Sequence, residues 1–212
     1  MKKLSLLFAG AMIALCFSKP VDTYPFDKWD SATLEKANTA KDASYLSAEE
    51  KKVIMLVNLA RLKPDLFSKT YLAKYLDSTK TKATSFTGSL KNDLEANTKP
   101  MDVMMPKEDL STESATHAGD LGSTGKKGGF TADGKSFEFR MTKYKGTYGA
   151  VMENYDYGHK DALSIVIGML IDQDNANISN RKNILNKNLK SAGVSIKEHK
   201  KEKWCCVMDM GK

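Results

Sequence analysis

The sequence predicts an α+β fold, with helices placed before and between three strands late in the chain. Apolar residues recur every three to four positions after Ser47, the spacing of an amphipathic helix. Near the C-terminus, residues 203–210 alternate as a half-buried strand should, with Trp204, Cys206 and Met208 on one face. The segment 192–197 gives the same signal. We find no internal repeat.

The N-terminal half of this prediction begins with a polar segment. Residues 19–46 are expected to be irregular and anchored by Trp29 and Tyr45. Ser47-Ala48-Glu49-Glu50 is a capping box, in which a serine oxygen and a glutamate satisfy free amides at a helix start. The helix should stop near Pro64, where a second helix begins. Residues 77–100 should form a surface loop with one short helix over 90–94.

The C-terminal half should contain two further helices and the strands. Ser111 is expected to cap a helix over 112–123 whose small inner residues suit close packing on a sheet. A short helix over 137–145 should end at Gly146. The strand candidates are 148–154, 192–197 and 203–210. This pattern gives α+β and does not fix how the layers stack.

The N-terminus has the features of a secretory signal peptide. Lys2 and Lys3 precede an apolar run over 4–17, which is shorter than the roughly 20 residues a membrane-spanning helix needs. We therefore predict a signal peptide over 1–18 and a secreted, periplasmic or cell-envelope protein. Membrane attachment would require lipidation of Cys16, and bulky Leu15 stands where lipoprotein signals have a small residue.

Charge and cysteine content narrow the classes of partner. The formal net charge is +7, and it falls to +5 without the two leading lysines. The lysines are scattered and do not alternate with aromatic residues, so we expect no nucleic-acid partner. Cys205 and Cys206 are neighbours in a strand, so one should face inward and the other outward, without a disulfide between them.

The segment from Met152 to Val194 resembles the second half of the CAP superfamily (cysteine-rich secretory, antigen-five and pathogenesis-related proteins). The matching features are Glu153-Asn154, Leu170-Ile171-Asp172, Asn180-Arg181-Lys182-Asn183-Ile184-Leu185 and Gly193-Val194. Asn58-Leu59-Ala60-Arg61 resembles the first helix of bacterial members. The resemblance extends over about 46–210, implies a CAP domain over 47–212, and implies a three-layer α-β-α sandwich with a central antiparallel sheet.

The resemblance also implies a cleft in which two histidines and two acids bind zinc or magnesium in some family members. Glu153 and Asp172 match the acids, but Asn180 stands where the family has its second histidine. The first histidine should precede the Asp133-Gly134 turn, where this chain has Gly129 or Phe130. We therefore expect the family metal site to be degenerate, with at most a weakly held divalent cation and no resident cofactor.

Other residues have alternatives that the sequence leaves open. His159 is a candidate substitute ligand or a loop residue, His117 is expected to be a partly buried, hydrogen-bonded helix residue, and His199 to be solvated in a hairpin turn. We assign Asn58, Arg61, Asn154 and Arg181 to structural support of the cleft. Arg181 should bond to Asp172 or to nearby backbone.

The sequence leaves three functions open, and we assign a catalytic role to no residue. The first is a protein that binds a small molecule, lipid or partner in a cleft formed by Glu153, Asp172, Asn180 and His159. The second is a metal-dependent hydrolase with a site rebuilt from Glu153, Asp172 and His159. The third is a structural envelope protein. Because the family metal site is expected to be degenerate, we favour the binding function.

Overall fold

The computed structural model describes residues 26–97, 99–173 and 175–212. The predicted signal peptide, Cys16 and the beginning of the predicted N-terminal extension lie outside the described residues. Ten α-helices, two 3-10 helical turns and one π-helical turn surround one sheet within the described part of the chain. The α-helices are α1 Ser31–Ala37, α2 Ala48–Leu62, α3 Pro64–Phe67, α4 Ala73–Ser78, α5 Ser85–Ala96, α6 Glu108–Thr124, α7 Phe137–Met141, α8 Lys145–Tyr148, α9 Ala162–Ile171 and α10 Ser179–Ile184.

The strands are β1 Met105–Pro106, β2 Val151–Tyr157, β3 Ser191–His199 and β4 Lys203–Gly211. They form one sheet in the order β1-β3-β4-β2. β4 pairs antiparallel with β3 and with β2, and only the two-residue β1 runs parallel to its neighbour. The three strands predicted from alternation are therefore present, each shifted or extended by a few residues, and β2 lies at an open edge of the sheet.

Helices cover both faces of the sheet, which confirms the three-layer α-β-α sandwich. On one face, Val194, Cys206 and Met208 join the main core formed with α2 and α9. On the other face, Cys205 and Val207 pack against Ala118 and Leu121 of α6. A Cβ at Gly122 would lie 2.1 Å from Glu198 O, so only glycine lets α6 approach β3 this closely.

Local sequence signals explain why the leading helices begin where they do. Ser47 Oγ accepts a hydrogen bond from Glu50 N (3.3 Å), and Glu50 Oε2 accepts one from Ser47 N (2.8 Å), so the predicted capping box is formed. Pro64 begins α3, and a π-helical turn over Ser68–Leu72 joins α3 to α4. Of the helices described, none combines the length and apolar character needed to cross a bilayer.

Several sequence predictions were wrong in detail. Residues 31–37 form a helix whose N-cap is Asp30, and of the two expected anchors Trp29 is 5% exposed whereas Tyr45 is 38% exposed. Helix α5 has 12 residues, more than the short helix expected. Helix α6 begins at Glu108, and Ser111 Oγ donates to Lys107 O (2.8 Å) within the helix instead of capping it.

Two further predictions, about the end of the 137–148 region and about the two cysteines, were wrong. The 137–148 region ends at Gly149, whose φ of +68° suits glycine, and not at Gly146. Cys205 and Cys206 are both buried, because β4 is an interior strand covered on both faces. Both are free thiols, and burial raises the pKa of Cys205 to about 11.

Candidate functional site

The edge of β2 borders an open cleft of about 550 Å³. Its walls are the end of α9 with the loop after it, the turn after β2, and the loop after α6. The lining residues are Tyr75, Thr81, Lys127, Tyr155, Asp156, Tyr157, His159, Gly168, Ile171, Asp172, Gln173, Asn175, Asn180 and Glu202. Three of the four predicted cleft residues, Asp172, Asn180 and His159, therefore line it together.

Asp172 and Asn180 form one hydrogen-bonded unit. Asp172 ends α9 in the left-handed conformation (φ +53°), which turns its carboxylate towards the start of α10. Its oxygens accept hydrogen bonds from Asn180 N (2.8 Å), Asn180 Nδ2 (2.9 Å) and Asn175 Nδ2 (3.2 Å). Burial nevertheless raises the pKa of Asp172 above its usual range. The oxygens of the Asp172 carboxylate therefore accept their hydrogen bonds from groups of the protein itself.

The Asn180 amide also pairs with the open edge of the sheet. Its Oδ1 accepts from Tyr155 N (3.3 Å), and its Nδ2 donates to Tyr155 O (3.3 Å). Since these are the backbone groups that a further strand would use, the side chain takes the place of a neighbouring strand at Tyr155. An imidazole has no carbonyl oxygen to complete this pairing.

Glu153 lies on the same face of β2 as Tyr155 and Tyr157, but its side chain is buried and is not among the residues that line the cleft. Its carboxylate accepts from Arg140 Nη2 at 2.6 and 2.8 Å, and the Tyr155 hydroxyl donates to it. The side chains of Arg140 and Glu153 are only 6% and 2% exposed. Burial outweighs the guanidinium and raises the pKa of Glu153 to about 7.

Arg140 is the centre of a buried charge network that the sequence did not reveal. Its Nη1 also donates to Glu113 Oε1 (3.2 Å), and Lys143 Nζ lies 3.0 Å from Glu113 Oε2. Asp209 is the cross-strand partner of Glu153, and burial raises its pKa well above the usual range. Asp209 Oδ1 has no hydrogen-bond partner, so a proton shared with Glu153 would satisfy it.

Gly129 borders the same network. A Cβ at this position would lie 3.9 Å from Glu153 Oε1 and 3.2 Å from Tyr155 Oη. Gly129, one of the two residues at the expected place of the family's first histidine, is thus next to the matching strand-end glutamate, Glu153. Within 26–97, 99–173 and 175–212, no three His, Cys, Asp or Glu side chains are grouped so that they could hold a metal ion.

His159 forms a dyad with Asp156, a residue that the sequence analysis missed. Nδ1 of His159 lies 3.1 and 3.0 Å from the two Asp156 carboxylate oxygens. Gly158 (φ +95°) makes the turn that returns His159 onto the strand. The Asp156 hydrogen bond raises the pKa of His159, whereas burial raises the pKa of Asp156 to about 6. The sequence signal was the Asp-Tyr-Gly-His turn itself.

The other two histidines are structural. His117 is 1% exposed with Nε2 2.9 Å from Gly128 O, as expected for a hydrogen-bonded helix residue. The prediction that His199 is solvated was wrong, because the residue is 3% exposed. Its Nε2 lies 2.9 Å from Lys126 O, and its Nδ1 accepts from Glu202 N (3.1 Å), so it holds the hairpin against the loop after α6.

Of the four buried residues assigned to support of the cleft, Asn154 and Arg181 bind backbone beside it, whereas Asn58 and Arg61 bind segments that do not line it. Arg61 donates to the carbonyls of Asp102, Ile184, Asn186 and Leu189. Arg181 donates to Leu170 O (2.7 Å) and Ile171 O (3.0 Å), which is nearby backbone and not the Asp172 side chain. Asn154 Nδ2 donates to Asn180 O (2.8 Å), and Asn58 binds both backbone groups of Met104.

Comparison with known proteins agrees with this architecture. A family model described as CAP, the cysteine-rich secretory protein family, matches residues 56–208, so the chain belongs to this family. Comparison with curated proteins gives no match.

Two solved structures are similar at low identity. One is an extracellular protein containing an SCP domain from Bacillus anthracis, with 13% identity and a TM-score of 0.47, covering 77% of this chain and 40% of that one. This chain thus spans less than half the length of that protein. The other is an outer surface protein of Borrelia burgdorferi, with 15% identity and a TM-score of 0.45, covering 60% of this chain and 88% of that one.

Proposed function

We propose that the protein is an exported CAP-domain protein that acts by binding a small polar molecule in the cleft beside β2, without catalysis at the family metal site. The observation that carries this proposal is the contact of Arg140 Nη2 with both carboxylate oxygens of Glu153, at 2.6 and 2.8 Å, inside the fold. A carboxylate already neutralised by a buried guanidinium is a poor ligand for a cation.

The donor set does not fit a zinc or magnesium ion. Zinc favours imidazole and thiolate ligands, and the two expected histidine positions hold Gly129 or Phe130 in one case and Asn180 in the other. Asp172 uses its oxygens for the amides of Asn175 and Asn180. A metal-activated water is therefore no part of the proposed function, and the metal-dependent hydrolase is the weaker alternative.

An NMR screen of polar small molecules tests this function. We expect backbone shifts that saturate with ligand concentration and map to Asn175, His159 and Tyr157, with no turnover of the ligand. Hits that map away from the cleft, or zinc-dependent hydrolysis that is abolished by Glu153→Ala, would contradict it. Lys190→Ala serves as the control, because Lys190 is an exposed partner of Asp102 outside the cleft.

A lipid ligand is the second candidate, and a different surface favours it. A groove of about 680 Å³ between the α3–α4 segment and α5 has an apolar floor that includes Leu72, Ala73 and Leu76. Binding of an acyl chain there would be blocked by Ala73→Trp, and the cleft variants would leave it unchanged. A fluorescent fatty acid whose affinity is insensitive to Ala73→Trp would eliminate this candidate.

Export from the cytoplasm rests on the predicted signal peptide over 1–18 and is part of the proposal. Cys205 and Cys206 are buried free thiols, so neither is accessible to oxidants in such a compartment. Mass spectrometry of the protein recovered from its host distinguishes cleavage near Ser18 from lipidation at Cys16. An intact N-terminus in the cytoplasmic fraction would contradict export.

A further inference from the structure

Asp156 and His159 form a hydrogen-bonded dyad in the wall of the cleft. The Asp156 side chain is 6% exposed, and that of His159 is 39% exposed, so the acid is inside and the imidazole reaches the cleft. Gly168 of α9 provides the room, because a Cβ there would lie 2.4 Å from Asp156 Oδ1 and 3.6 Å from His159 Nδ1. A turn glycine, an acid, a histidine and a helix glycine are all needed for this arrangement.

The dyad fixes the orientation of the imidazole towards a ligand. Because Nδ1 bonds to the Asp156 carboxylate, Nε2 is the ring nitrogen available to another molecule. Nε2 has no hydrogen-bond partner in the part of the chain that the structure describes. It can accept a hydrogen bond when the ring is neutral and donate one when the ring is charged.

The formal charges in the cleft are already neutralised in pairs. Lys127 Nζ lies 2.8 Å from Glu202 Oε1, and Asp156 is paired with His159. Asp172 accepts three hydrogen bonds from amides of the protein. An anionic ligand would meet three acids, Asp156, Asp172 and Glu202, against one lysine and one histidine. An apolar ligand would remove water from these groups without replacing its hydrogen bonds.

Aromatic rings complete the cleft lining. The rings of Tyr155 and Tyr157 are nearly parallel (11°) with centroids 6.3 Å apart, and both are half-buried. Lys127 Nζ lies 4.9 Å from the Tyr157 ring centroid on a side chain that is 53% exposed, so a ligand can displace it. Aromatic side chains beside neutral hydrogen-bonding groups suit a ligand that has an apolar face and a hydroxylated rim.

We infer that the ligand of this cleft is a neutral saccharide, whose ring C–H face packs on Tyr155 and Tyr157 while a hydroxyl bonds to Nε2 of His159. This inference rests on the proposed binding function and specifies its ligand class. Gln173 and Asn175 line the same cleft and supply amide groups for further hydroxyls. Their amides and the His159 imidazole carry the hydrogen bonding, and no charged contact is required.

The test is an NMR titration of the full-length protein with cellotetraose, chitotetraose, maltotetraose and mannotetraose at up to about 10 mM, where weak affinities are still measurable. We expect at least one of them to shift the side-chain resonances of His159 and Tyr157 to saturation. His159→Ala should raise its dissociation constant at least about tenfold, equivalent to about 1.4 kcal/mol.

Two further variants distinguish a direct contact between His159 and the ligand from a general loss of structure. Gly168→Ala removes no polar group of the cleft but displaces the Asp156 carboxylate, because the added Cβ would lie 2.4 Å from Asp156 Oδ1, so it should weaken binding to a similar extent. Lys160→Ala is the matched control, because Lys160 is exposed beside His159 and lies over the Trp204 ring (4.4 Å) outside the cleft lining. Thermal unfolding of each variant confirms that it is folded.

The remaining outcomes distinguish this inference from the proposed function. If none of the four tetraoses shifts His159 or Tyr157, the saccharide inference is overturned. If trigalacturonate or dodecanoate saturates the same resonances instead, binding in the cleft stands and the neutral saccharide does not. If zinc binds stoichiometrically and Glu153→Ala abolishes that binding, the proposed function itself fails.

Discussion

Replacing Arg140 with methionine tests whether the buried charge network is as tightly coupled as its geometry indicates. The substitution keeps a long apolar stem and removes the guanidinium that contacts Glu113 and Glu153. Removing one partner of a buried ion pair costs about 3–5 kcal/mol, because the remaining charge is left uncompensated. We expect a loss of this size in the free energy of unfolding at about pH 8, where Glu153 is ionised in the native protein.

The loss should be smaller at about pH 5, because Glu153 then carries a proton in both proteins. Urea unfolding at the two pH values measures the difference. Lys143→Met is the matched control: Lys143 contacts the same Glu113, but its side chain is 64% exposed, and exposed pairs contribute about 0–1 kcal/mol. A loss below about 1 kcal/mol for Arg140→Met at both pH values would refute the reasoning.

Three more outcomes follow from the contacts at the site. The free energy of unfolding should fall as the pH rises from about 4.5 to 7. Burial raises the pKa of Glu153 from 4.5 to about 7, so the native state binds this proton more tightly than the unfolded chain does. Urea midpoints across this range measure the slope, and Glu153→Gln should reduce it. Asn180→Ala should lower the free energy of unfolding by about 1–3 kcal/mol, since Asp172 and the edge of β2 lose buried partners; an unchanged urea midpoint would contradict this. Cys205 and Cys206 should resist a thiol reagent in the native protein and react in urea, and rapid native labelling would show that β4 is not an interior strand.

Features encoded locally were predicted well from the sequence. The capping box at Ser47 and the alternation in β4 each lie within a few residues, so periodicity and cap chemistry were enough to find them. The start of α6 was misplaced because Lys107 provides no side-chain cap, and Ser111, the expected cap, bonds inside the helix. The length of α5 was underestimated for the related reason that its cap, Thr84, was not recognised.

The charge network at the site was not predictable in the same way. Glu113, Arg140 and Glu153 come from a helix, a short helix and a strand, and no local motif links them. One signal was present in the sequence: Glu113 lies four residues before His117, on the inner face of α6, where an acid requires a partner. The burial of His199 likewise depends on a carbonyl 73 residues away, at Lys126.

Zinc binding to the purified protein tests most directly whether the Arg140–Glu153 pair has replaced the family metal site. Native mass spectrometry of protein prepared without chelator, followed by titration with zinc and with magnesium, gives both stoichiometry and affinity. We predict the mass of the metal-free protein and no stoichiometric complex that depends on Glu153. One zinc ion per chain, lost in Glu153→Ala and retained in Lys190→Ala, would contradict the binding function proposed for this cleft.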